Sequence, residues 1–89
     1  MPDQQSQGGN SQTLWTLLEE LEYEVVEHSQ GVARTIRFRL HNRGIRIGDV
    51  LCVMDGAEIR FHGMIHSIDE DGWAHAADQR GSTIPAQVQ

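Results

Sequence analysis

The chain has 89 residues, thirteen acidic against seven basic, for a formal charge of −6, and 38% of it is apolar. One small domain with a marginal core fits that length, and the longest uninterrupted apolar run, Val50 to Met54, falls far short of the roughly 18 residues of a membrane span. The acidity disfavours nucleic acid and anionic membrane surfaces, which attract proteins through cations; the single cysteine, Cys52, excludes a disulfide-stapled scaffold and any multi-cysteine zinc site.

From Pro2 to Gln12 there is no apolar residue. Such a stretch cannot offset the entropy of being ordered, so residues 1–12 are expected to form a disordered tail and 13–89 a single domain. Met1-Pro2-Asp3-Gln4-Gln5 carries neither the basic nor the apolar segment of a signal peptide, which predicts a cytoplasmic location. Leu14, Leu17, Leu18 and Leu21 recur at helical spacing, which predicts one amphipathic helix from Thr13 to about Glu22, capped by Ser11 or Thr13. Glu19, Glu20 and Glu22 lie at its C-terminal end, where the helix dipole disfavours them, so it needs packing against the rest of the chain.

After Tyr23 the period changes to two. Thr35 to His41 alternates cleanly, with Ile36, Phe38 and Leu40 on one side and Arg37, Arg39 and His41 on the other. That pattern is a half-buried antiparallel strand. With Tyr23 to His28 and the turn Ser29-Gln30-Gly31 it makes a hairpin. Asn42-Arg43-Gly44 is a second turn, and Asp55-Gly56 joins the apolar strand Val50–Met54 to a strand from Glu58 to Ile68. The latter is expected to bury Ile59, Phe61 and Ile65, with Gly63 as a bulge or kink. Asp69-Glu70-Asp71-Gly72 turns into a strand at Trp73 to Ala77, Asp78-Gln79-Arg80-Gly81 turns again, and Ser82 to Pro85 is a short closing segment. Ala86 to Gln89 is either a last short strand or a frayed end. Short strands with turn signals at this spacing predict a mainly β fold, a small antiparallel barrel preceded by the helix and the hairpin.

Gly48-Asp49-Val50, Phe61-x-Gly63-x-Ile65-x-x-Ile68, Asp71-Gly72-Trp73-Ala74 and Ile84-Pro85 together resemble the SH3-like barrels, a group that includes Tudor-like and KOW-like domains. The resemblance covers about Ile45 to Val88 and implies a strongly bent sheet closed by the Ile-Pro segment. The type II plasmid dihydrofolate reductases look similar in the same places. Their Val-Gln-Ile-Tyr active-site segment is replaced here by Gly81-Ser82-Thr83-Ile84-Pro85, so their activity is not carried over. Leu40-x-Asn42-x-Gly44-x-Arg46-Ile47-Gly48-Asp49 with Asp55-Gly56 resembles phage tail-hub and connector barrels, which implies an assembly component. A weaker resemblance to Sm-like proteins rests on Asp55-Gly56 and Gly63-x-Ile65, and the charge balance weighs against its RNA binding.

The sequence shows no phosphate loop, no nucleophile elbow and no HExxH, so no catalytic residues, cofactor or enzymatic activity are expected. His28, His41, His62, His66 and His75 lack zinc-ligand spacing and read as exposed or hydrogen-bonded strand residues, with no metal implied. Arg37 and Arg39, flanked by Arg34 and Arg43, form a basic stripe. It suits either a phosphate groove or, as we read it, cross-strand pairing with Glu22, Glu24 and Glu27. Cys52 reads as inert packing. The expected function is a protein-interaction module that binds protein and neither nucleic acid nor membrane. Its partner site is placed at Trp73 with Asp69, Glu70 and Asp71, where an aromatic ring beside carboxylates suits a basic partner. The alternative is a phage or mobile-element assembly part. A ring of about six copies would mark the assembly reading, a monomer or homodimer the binding module.

Overall fold

A computed structural model describes residues 11–41, 44–78 and 82–85, where the period-two alternation produces six strands. They are β1 (Thr13–Leu17), β2 (Glu22–Ser29), β3 (Val32–Arg39), β4 (Val50–Asp55), β5 (Glu58–Ile68) and β6 (Ala74–Ala77). All belong to one sheet in the order β1-β4-β5-β6-β3-β2. Every pairing is antiparallel except β1 with β4. Gln30 and Gly31, at φ of 55° and 85°, turn β2 into β3. Two successive left-handed residues give a hairpin turn whose twist matches the strands it joins.

The topology makes the sheet curl. β1 and β2 occupy its two edges, run in the same direction, and are joined only by Leu18 to Leu21. That link spans at most roughly 17 Å, so the edges must approach each other where the chain crosses between them. The ladder itself stays open, since no register joins β1 to β2. Apolar residues from across the sheet meet inside the curl: Leu14 of β1, Ile36 and Phe38 of β3, Leu51 and Val53 of β4, Phe61 and Ile65 of β5. Ile84 seals this core. Thr83 donates its N–H to the Arg60 carbonyl at 2.9 Å, Ala33 donates to the Ile84 carbonyl at 2.8 Å, and Pro85 makes an antiparallel bridge with Val32. No helix among the described residues is long and apolar enough to cross a membrane.

Four sequence expectations are corrected. The predicted helix over Thr13–Glu22 is strand β1 followed by a single 3-10 turn at Leu18–Glu20. Thr13, Trp15 and Thr16 favour extended backbone, no side chain caps the turn, and an isolated helix of about ten residues is marginal in water. The parallel ladder with β4, from Thr13–Val50 to Leu17–Met54, supplies the hydrogen bonds instead. Leu14, Leu18 and Leu21 still reach the core, while Leu17 points outward. Ile59 was expected inside and is exposed. The register passes from Val53–Phe61 to Met54–Ile59, so Arg60 is an extra residue that turns Ile59 out. Gly63 is no bulge: it pairs regularly with Leu51, and the irregularities fall beside it, at Arg60 and His66. Gly63 is needed because a Cβ there would strike the Ala77 carbonyl and lie 2.8 Å from the Phe61 ring. Finally, Gln12 is no part of a loose tail. Its N–H and side-chain Nε2 donate to the two carboxylate oxygens of Asp49, each at 3.1 Å. The expectations for residues 1–10, Asn42, Arg43, 79–81 and 86–89 lie outside the described residues.

Candidate interaction surface

The face of the sheet opposite the core can be read row by row, because paired residues on neighbouring strands point to the same side. One row crosses all six strands: Glu27, Thr35, Ala77, Met64, Val50, Thr13. It starts acidic at the β2 edge and ends uncharged at the β1 edge. The rows on either side are shorter: Glu24, Arg37, His75 and Ser67 make one, Trp15, Cys52 and His62 the other, and together they divide the face into halves.

The half formed by β2, β3 and β6 is ionic. The register sets Glu22 opposite Arg39 and Glu24 opposite Arg37. Glu24 takes a hydrogen bond from Arg37 Nε at 2.8 Å and Glu22 one from Arg39 Nη2 at 3.0 Å. His41 Nε2 lies 2.9 Å from the second Glu22 oxygen. Hydrogen bonds from Arg39 and His41 hold the Glu22 carboxyl below its usual range. Cross-strand pairing, expected for all three glutamates, thus holds for Glu22 and Glu24; Glu27 instead accepts the Thr35 hydroxyl at 2.9 Å.

Trp73 lies in this half, and only 9% of it is exposed. The guanidinium carbons of Arg37 and Arg39 sit 4.4 and 4.5 Å from its ring centroid. The cation–π contact expected of a basic partner is therefore made by the chain's own arginines. Asp69 lies 3.0 Å from His75 Nε2, and Asp71 accepts the Trp73 N–H at 3.3 Å. Glu70 stands exposed at the turn between them. The structure brings Trp73, Asp69 and Asp71 together, with the ring covered.

The half formed by β1, β4 and β5 is apolar. Trp15, Cys52 and His62 make one row and Leu17, Met54 and Ile59 the next. Large side chains stand out into solvent here: Trp15 is 54% exposed, Leu17 40%, Ile59 53% and Met64 57%. Cys52, in the row between Trp15 and His62, is fully buried, and burial pushes its thiol pKa up. That keeps it a neutral packing group.

The edge of this half is equally distinct. β1 carries no charge, no proline and no register shift along its ladder. Its start is pinned by buried Asp49, which accepts from the N–H groups of Gln12 and Arg46 and from the Gln12 side chain. Burial alone would raise the Asp49 pKa, but these hydrogen bonds outweigh it and leave it lowered. Val50 donates its N–H to the Gln12 carbonyl at 2.9 Å. Gln12 thus turns its backbone groups toward β4. In an extended strand the direction alternates, so Thr13 and Trp15 turn their N–H and C=O groups to the open edge and Leu17 its N–H, while the Leu17 carbonyl starts the following turn and accepts the Thr16 hydroxyl.

Sequence reasoning missed Trp15, Leu17, Ile59 and Met64 as surface residues. One signal was available: Ser11 to Leu18 is an uncharged run in a strongly acidic chain. A polar cleft of about 310 Å³ opens on the other half, lined by Glu27, His28, Arg34, Thr35 and Asp78 among others. Comparison with protein-family models, with characterised proteins and with solved structures gave no match.

Proposed function

We propose that the chain is a non-enzymatic protein-interaction module of the SH3-like barrel type, and that it docks a polypeptide through the β1 edge and the apolar half of its outer face. The barrel reading is supported by the short strands, the curl imposed by the Leu18–Leu21 link, and the Ile84-Pro85 segment that bridges β5 and β3. The observation that carries the docking reading is the cluster of Trp15, Leu17, Ile59 and Met64, exposed together beside an unpaired strand edge. Exposed apolar clusters of this kind mark interaction sites, and a free strand edge recruits extended chains by strand addition.

The docking site moves from Trp73 to β1 because the Trp73 ring is already covered by Arg37 and Arg39. A protein partner is preferred to nucleic acid because those same arginines are engaged by Glu24 and Glu22 and the net charge is −6. The test is selection from a library of extended peptides, followed by NMR mapping on the 89-residue chain. Selected peptides should alternate apolar and polar residues and shift the amides of Thr13, Trp15 and Leu17. Binders that map instead to the Asp69–Asp71 turn would overturn the assignment.

A further inference from the structure

We propose that the occupant of the β1 edge is a second copy of this chain, with the two β1 strands paired antiparallel about a two-fold axis through Trp15. The proposal rests on the reading of β1 as the docking edge and names what fills it.

Three observations select a second copy. The first is backbone register. Thr13 and Trp15 point their N–H and C=O groups to the open edge and Leu17 its N–H, and Trp15 is the middle residue of the five-residue strand. An antiparallel pair centred there sets Trp15 against Trp15 and Thr13 against Leu17. The central Trp15 pair then both donates and accepts, as in the hydrogen-bonded pairs of any antiparallel ladder, and Leu17 donates its N–H to the Thr13 carbonyl opposite, its own carbonyl being taken up by the turn that follows and the Thr16 hydroxyl. The strand is its own complement, and the contact closes as a two-fold dimer.

The second observation is charge. β1 offers no carboxylate or cation to a charged partner, so its natural partner is a neutral strand, which β1 itself is. The antiparallel register pairs only uncharged residues, Thr13 with Leu17 and Trp15 with itself, because the chain leaves the strand at the Leu18–Glu20 turn. No acid meets an acid, although each copy carries a charge of −6.

The third is the outer face. Trp15 and Leu17 are exposed on the edge strand itself, where the sheet would continue into the second copy, while Met64 and Ile59 lie further in, across β4. Pairing at Trp15 brings the two indoles side by side on that face, where aromatic cross-strand pairs are favourable. A single strand pair with one apolar row lies at the small end of stable interfaces, so the dimer should be weak and concentration-dependent, with a dissociation constant on the order of micromolar.

The experiment is sedimentation equilibrium of the full chain over a concentration series, with two variants. The wild type should show a monomer–dimer equilibrium. Trp15→Lys, which puts two cations at the axis, should weaken dimerisation about tenfold or more with unchanged circular dichroism and melting. Val26→Lys, on the β2 edge, should leave the dimer intact. Trp15→Cys should oxidise readily to a covalent dimer, because the backbones in such a pair lie about 5.5 Å apart, within disulfide reach. A dimer that survives Trp15→Lys overturns the proposal. So does a chain that stays monomeric throughout; if the β1 amides then still respond to selected peptides, the docking edge stands and only the identity of its occupant fails.

Discussion

β1 and β2 are edge strands of one sheet over one core, yet their surfaces are finished in opposite ways. β2 sets Glu22, Glu24 and Glu27 along its length, and its ladder slips register twice, on either side of Glu27. β1 is the uncharged sequence TLWTL in unbroken register. Charges and irregularities on an edge strand prevent pairing with another chain. The ion pairs of β2 are exposed and worth little to stability. Their position is better understood as protection of that edge, which leaves β1 as the one that can be extended.

The comparison presumes that both edges hang on the same core, and its most drastic test is to remove that core. Phe38→Ala or Phe61→Ala, at fully buried positions, should cost about 3–5 kcal/mol, comparable to the whole stability of a domain this small. Neither variant should show a cooperative thermal transition. A soluble, cooperatively melting Phe38→Ala protein would mean that β3 presents its other face to the core.

Next in size is the seam between the halves. Gly63 faces β6 so closely that an added Cβ would meet the Ala77 carbonyl, with its carbon at 2.7 Å. Gly63→Ala should destabilise by about 1–3 kcal/mol, since backbone has to move to make room. The urea midpoint would record the loss. No loss would show that β5 and β6 are less tightly joined than the register implies.

The anchor of β1 comes third. Asp49→Asn keeps the shape but weakens charge-assisted hydrogen bonds at a buried site, for a cost of about 1–3 kcal/mol. It should also speed hydrogen exchange along β1 and leave β2 unchanged. The Asp49 pKa is lowered on folding, so its stabilising contribution is full above the ordinary aspartate value of about 3.9 and is lost as pH falls through the lower folded value. Denaturation at a series of pH values from about 5 down to 2 should show a steeper acid loss in the wild type than in Asp49→Asn.

The smallest stability effect should accompany the change that bears most directly on the edges. Glu22→Thr with Glu24→Thr should barely move the melting temperature, since solvent-exposed ion pairs contribute little to stability. With two of its three glutamates gone, the β2 edge should behave more as β1 does. Two open edges generate heterologous, non-closing contacts, so light scattering should rise with concentration beyond the dimer. Unchanged scattering would show that Glu27 and the register slips beside it suffice to protect β2.

Much of the fold was legible in the sequence because β3 follows one rule and the turn signals mark off the strands around it. Ile36 and Phe38 alternate with Arg37 and Arg39, so register and facing could be read before the strands were seen, and the glutamates opposite them followed from the hairpin. Leu14 to Leu21 failed because their spacing satisfies two periods at once, and only the partner strand decides. That partner, β4, lies 33 or more residues further along and pairs in parallel, a relation no local pattern encodes. Ile59 failed through a single extra residue, Arg60, which reverses the facing of everything before it. The covering of Trp73 was illegible for a related reason. Trp73 stands beside carboxylates in sequence, but the arginines that cover it come from β3, and Trp15 was assigned to a helix that does not form.

The placement of the two tryptophans has one more consequence. Trp15 stands in solvent at an edge, and Trp73 lies beneath two guanidinium groups. The chain contains no others. Its intrinsic fluorescence is thus a two-channel signal. A long-wavelength, acrylamide-quenchable component should report events at β1, and a shielded, shorter-wavelength component should report unfolding of the sheet, so that association and denaturation can be followed separately in one cuvette without a label.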